Sequence, residues 1–151
     1  MAAPKPSPET TLRIQRLFTA PREKVFQAWT EPDKMSKWLG RVTPQHSTRI
    51  LEADLRIGGR YRLEVRSPDG ALHLLAGTYR EVAPPEKLAF TWSWEETPDF
   101  GETLVTVEFH ARGSFTEVVL THELFSNKEA RDNHLKGWDG CFNALAKFLE
   151  A

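Results

Sequence analysis

The sequence predicts an α+β domain, in which an antiparallel sheet of about six to seven strands curls around one long C-terminal helix. Two short helices follow the first strand. Three observations lead there. The stretch 126–150 is the one segment long enough for a six-turn helix, and its apolar residues fall on one stripe. Upstream of it, several runs alternate apolar and polar residues between turn signals, the pattern of antiparallel strands with one covered face. A sheet with one apolar face and a helix with one apolar stripe bury both surfaces when the twisted sheet wraps the helix. Such an arrangement leaves an apolar hollow between the helix and the concave face.

Each element has its own signal. Residues 1–10 hold three prolines and almost no apolar residue, and are expected to form a disordered tail. The remainder, 11–151, reads as a single domain. Thr11 to Phe18 alternates as a first strand, with Leu12, Ile14 and Phe18 inward and Leu17 out of pattern. Pro21 suits the first turn of a helix, where its missing N–H is not needed, and Val25, Phe26 and Trp29 give that helix a buried face. A second short helix follows Thr30–Asp33, with Met35, Trp38 and Leu39 inward and Gly40 at its end. After a loop over 41–47, Leu51, Ala53 and Leu55 define the face of the next strand, and Gly58-Gly59 marks a bend.

The strand over 60–66 is the cleanest, with Tyr61, Leu63 and Val65 on one side and charged residues on the other. A turn at Ser67-Pro68-Asp69-Gly70 leads to a strand over 71–82, and Pro84-Pro85-Glu86-Lys87 leads to one in which Leu88, Phe90, Trp92 and Trp94 alternate inward. An acidic loop, 95–101, precedes a strand over 104–111 that faces in with Val105, Val107 and Phe109. The strand over 115–124 places Val118, Leu120, His122 and Leu124 on one face. In the long helix, Ser126 and Glu129 match a capping box, and Leu135, Trp138, Phe142, Leu145 and Leu149 form the stripe, flanked by His134, Cys141 and Phe148. Gly137 and Gly140 sit mid-helix, where each costs about 1 kcal/mol against alanine. Close backbone packing explains them, and so does room for a ligand beside Trp138 and Cys141.

Composition limits function. With 20 basic and 21 acidic residues, nothing points to nucleic acid or to an anionic membrane surface. No apolar run approaches a membrane span and the N-terminus lacks a signal core, so a cytoplasmic location is expected. The single cysteine, Cys141, allows no internal disulfide and reads as a small buried hydrophobe. The five histidines show no metal-ligand spacing, and no cofactor is expected. His134 stands two turns from Cys141, about 10 Å along a helix, too far for a nucleophile–base pair. No nucleophile elbow or phosphate-cradling loop occurs. Acid–base chemistry at His122 stays open beside two other readings, a hydrogen-bonded core histidine and a polar ligand anchor.

Five segments together resemble a known family. They are APREKVFQAWTEPDKMSKWLG (Ala20–Gly40), GGRYRLEVRSPDG (Gly58–Gly70), GTYREVAPPEKLAFTWSW (Gly77–Trp94), FTEVVLTHELF (Phe115–Phe125) and HLKGWDGCFNALAKFLE (His134–Glu150). In order, they are similar to single-domain proteins resembling the C-terminal domain of the activator of the heat-shock-protein-ninety ATPase. The resemblance implies the helix-grip fold of the SRPBCC, START-like proteins, shared with lipid-transfer domains, birch-pollen-allergen-like proteins and aromatic polyketide cyclases. It agrees with the element order read from the residues. It assigns no reaction, because fold does not fix function.

The expected function is binding of a hydrophobic or aromatic small molecule in the hollow, with no catalytic residue assigned. The expected lining is Tyr61, Leu63, Tyr79, Phe90, Trp92, Trp94, Val107, His122, Trp138, Cys141 and Phe142, with Tyr61, Tyr79 or His122 orienting the ligand's polar end. The alternatives are a cyclase- or hydrolase-like activity using His122, and an interaction module acting with a chaperone or a regulator. A homodimer is compatible with all three.

Overall fold

The computed structural model describes residues 7–150 of the 151-residue chain. Seven strands form one antiparallel sheet: β1 (Leu12–Phe18), β2 (Ser47–Ala53), β3 (Arg60–Arg66), β4 (Leu72–Ala83), β5 (Lys87–Trp94), β6 (Thr103–Arg112) and β7 (Phe115–Glu123). Their order is β1-β7-β6-β5-β4-β3-β2, so β1 and β2 are the edges and β5 and β6 lie near the middle. The helices are α1 (Arg22–Thr30), α2 (Pro32–Met35) and the long α3 (Lys128–Glu150). The sheet curls around α3, as the one-sided patterns of sheet and helix require.

The core is the predicted face of each strand meeting the helices. Tyr61, Leu63 and Val65 of β3, Val105, Val107 and Phe109 of β6, and Val118, Leu120 and His122 of β7 are all buried. Trp138, Cys141, Phe142, Leu145 and Leu149 bury the opposing stripe of α3. Helix α1 covers one part of the concave face. Its Phe26 and Trp29 meet Phe109 edge-on, with ring centroids 5.3 and 6.0 Å apart. The five indole rings run in an unbroken line from there. Trp38 meets Trp29 at 4.5 Å, Trp29 stacks on Trp138 at 6.0 Å, Trp138 meets Trp92 at 5.0 Å, and Trp92 meets Trp94 at 5.7 Å.

Four local expectations change. The helix cap is Asn127 rather than Ser126: the Ala130 N–H donates to Asn127 Oδ1 at 2.8 Å, so α3 starts one residue later than the capping-box reading placed it. The buried stripe accordingly begins at Trp138, and Leu135 is 39 % exposed. In β2 the register shifts between Ile50 and Glu52, so Leu51 is an extra residue in a bulge. Ile50 therefore packs against the core, while Leu51 and Leu55 are exposed. The second short helix is only the four residues of α2, and the chain continues as turns to Gly40 that still bury Trp38 and Leu39.

Residues 1–6 of the expected tail lie outside the described residues. Pro8–Thr10 forms a 3-10 turn, Arg131 donates to the Pro8 carbonyl at 2.6 Å, and the Phe125 N–H donates to the Thr10 carbonyl at 3.2 Å.

Candidate functional site

A cavity of about 430 Å³ lies between α3 and the concave face of the sheet. Alternation along β5 brings Trp92 and Trp94 into it, and β3 and β4 supply Val65 and Leu75. Helix α3 presents His134, Trp138 and Cys141, with Gly137 leaving space between them. The chain after α2 runs across the helix and closes one side with Gly40, Val42 and His46. Phe100, on a 3-10 turn over Pro98–Phe100, closes another. Glu96, Thr97 and Asn133, all exposed, mark a polar mouth.

Trp92, Trp94, Trp138 and Cys141 are the expected lining residues that meet here. The other seven do not reach the cavity. Tyr61, Tyr79 and Phe90 pack against one another, with centroids 5.5 to 6.2 Å apart, and the Tyr61 hydroxyl donates to the Thr91 carbonyl. Burial raises both tyrosine pKa values, that of Tyr79 to about 12. Leu63, Val107 and Phe142 are core residues, and Phe142 meets Phe18 edge-on at 5.6 Å. The inward parity of Tyr61, Leu63, Phe90 and Val107 on their strands agrees with the buried side. The hollow is shorter than the concave face because α1 and Phe142 fill part of it.

His122 is also sealed off. Its surroundings fix one tautomer. Trp138 Nε1–H donates to His122 Nδ1 at 3.1 Å, leaving Nε2–H to donate to Thr103 Oγ1 at 2.7 Å. The Thr103 hydroxyl passes the chain on to the Trp92 carbonyl at 2.8 Å. Burial, aided by neighbouring His134, holds the His122 pKa well below the usual histidine value. Both ring nitrogens are committed, so this histidine is a neutral bracket between β5, β6, β7 and α3. The orienting role expected of Tyr61, Tyr79 and His122 has no access to the cavity.

His134 was read only as a flank of the helical stripe, yet it stands in the wall. Its Nδ1–H donates to the Ala130 carbonyl at 2.9 Å, and its Nε2 accepts from Trp94 Nε1–H at 3.0 Å. Burial lowers its pKa as well. Burial pushes the Cys141 thiol up to about 12, against the smaller effect of hydrogen bonds from Gly40 and Arg41, which disfavours a thiolate there. Among the described residues no group of three His, Cys, Asp or Glu side chains is placed to hold a metal.

Gly140 explains how the wall stays in place. A Cβ there would lie 2.1 Å from the Val42 carbonyl oxygen, so the 40–46 segment rests directly on the helix backbone. At Gly137 a Cβ would meet only Val42 Cγ2, at 3.7 Å. Gly140 thus serves backbone packing, and Gly137 opens space in the cavity. On the far side of Val42 lies a second hollow of about 500 Å³, lined by Lys37, Arg41 and Lys147 beside Phe148.

A curled antiparallel sheet, a gripped C-terminal helix and a cavity between them define a helix-grip domain. The sequence profile of the family described as "Activator of Hsp90 ATPase homolog 1-like protein" matches residues 19–150, and the chain belongs to that family. Solved structures agree. One from Chromobacterium violaceum superposes with a TM-score of 0.86 at 26% identity, covering 94% of this chain and 98% of that one. A protein from Mycobacterium smegmatis gives 0.80 at 22% identity, over 93% and 91% of the two chains. A third, from Rhodobacter sphaeroides, gives 0.78 at 24% identity, over 97% of each chain. No curated protein compared with the chain matches it. Among the described residues, no helix is long and apolar enough to cross a membrane.

Proposed function

We propose that the chain binds a hydrophobic small molecule in the cavity between α3 and the sheet. The observation that carries this reading is the cavity's size and lining. At about 430 Å³ it lies within the range of small-molecule sites, and its walls are three indoles, a phenyl ring and aliphatic side chains. Burying a ligand's apolar surface there contributes about 25 cal/mol per Å². Flat aromatic ligands suit the walls best, since indole faces stack on them. Turnover at His122 gains no support, because neither of its nitrogens is free to move a proton to or from the cavity.

An environment-sensitive apolar dye tests the reading. The wild type should bind it with enhanced emission. Gly137→Leu should block binding while the protein keeps its fold, because position 137 opens into the hollow. Absence of dye binding by the wild type would overturn the reading, and so would undiminished binding by a folded Gly137→Leu variant.

A further inference from the structure

The cavity's chemistry narrows its ligand beyond being hydrophobic, and this step rests on the binding reading above. Among the described residues that line it, Glu96 alone carries a full charge at neutral pH. No lysine or arginine is among them. The nearby cations Lys37, Arg41 and Lys147 gather in the second hollow, on the other side of Val42. Glu96 is held in place: Oε2 accepts from the Leu74 N–H at 2.9 Å, and Oε1 lies 3.1 Å from His73 Nδ1.

Three hydrogen-bond donors in the wall are already committed. Trp94 Nε1–H goes to His134, Trp138 Nε1–H goes to His122, and His134 Nδ1–H goes to Ala130. Trp92 Nε1 has no partner but exposes less than 1 Å² and does not meet the open space. An anionic head entering this cavity would lose its water and find no deep donor or cation in return. A cationic head finds the opposite. The aromatic rings of Trp92, Trp94 and Phe100 line the cavity, aromatic faces attract cations, and Glu96 stands at the mouth. The polar groups of Thr97 and Asn133 carry no charge and serve either sign.

We propose that the cavity selects flat aromatic amines, ammonium end toward Glu96, over carboxylates of the same shape. Fatty-acid-like and aryl-carboxylate ligands are the ones it discriminates against.

Three probes of one shape test this at pH 8 by titration calorimetry: (naphthalen-2-ylmethyl)trimethylammonium, 2-naphthylacetate and neutral 2-naphthalenemethanol. The ammonium should bind about fivefold or more tighter than the carboxylate. In Glu96→Gln, whose amide oxygen can still accept from Leu74, that gap should narrow while the neutral probe binds as before. If the neutral probe binds and the carboxylate matches or exceeds the ammonium, the charge selection is overturned and the cavity reading stands. A gap unchanged in Glu96→Gln overturns the role of Glu96. If none of the three binds, the cavity reading itself falls.

Discussion

At the scale of single residues, the two mid-helix glycines make opposite demands, although the sequence presents them alike. Gly137→Ala should stabilise the fold by up to about 1 kcal/mol, since alanine is the better helix former and its Cβ meets only ordinary contact. Gly140→Ala should destabilise it by about 1–3 kcal/mol, since its Cβ would strike the Val42 carbonyl and lift the 40–46 segment. Urea unfolding of the two variants checks both signs. The histidines give a second prediction. Burial lowers the pKa of His122 and of His134 in the folded state. As pH falls, the unfolded chain therefore takes up protons first. The stability these residues contribute is complete above about pH 6.5 and declines below it toward the folded values, by at most about 1.4 kcal/mol per pH unit for each histidine. Asp69 and Glu117, also lowered, act in a separate window near pH 4 and below. Unfolding free energies measured from pH 7.5 to pH 5 should show the decline, and a flat profile would contradict the neutral His122 bracket.

At the scale of elements, the strands were the most legible part of the sequence. β3 and β6 bury the side that alternation indicated and leave the other side less covered, while β5 and β7 bury the indicated side and also Ala89, Thr91 and Val119 on the opposite one. Alternation fails in β2, where one extra residue at a sheet edge swaps the faces and leaves no mark in composition. The start of α3 was misread for a related reason. Ser126 and Asn127 are both good caps by residue type, and the structure uses Asn127, two residues after Phe125 is anchored to the Thr10 carbonyl. Asn127→Ala should accordingly cost about 1 kcal/mol, and Ser126→Ala much less. Thermal unfolding of the two variants separates the assignments; equal losses would restore the capping box.

At the scale of the whole molecule, the presence of a hollow was legible and its walls were not. A helix stripe facing a concave sheet predicts empty space, and the alternation of β5 put Trp92 and Trp94 beside it. The rest of the lining comes from segments with no periodicity to read. Val42 and His46 stand in a stretch that carries only loop signals, and Phe100 lies in what reads as an acidic loop. The expectation that Tyr61 and Phe90 stand in the wall came from treating one face of the sheet as one environment, and that of Phe142 from treating one stripe of the helix so. Packing by α1 divides that face into a filled part and an open part, and the division depends on contacts such as Trp29 with Phe109 and Phe142, far apart in the chain.

The line of indoles from Trp38 to Trp94 has a photophysical consequence. Rings 4.5 to 6.0 Å apart pass excitation to one another far faster than they emit. Light absorbed by any of the five tryptophans therefore belongs to all of them. A brominated naphthalene seated in the cavity touches three of the five, Trp92, Trp94 and Trp138. It should nevertheless dim the emission of Trp38, which lies beyond its reach. Trp29→Phe removes the ring between Trp38 and the rest, so Trp38 should stay bright under the same quencher. Residual emission from the wild type larger than that from the variant would show that the rings fluoresce independently.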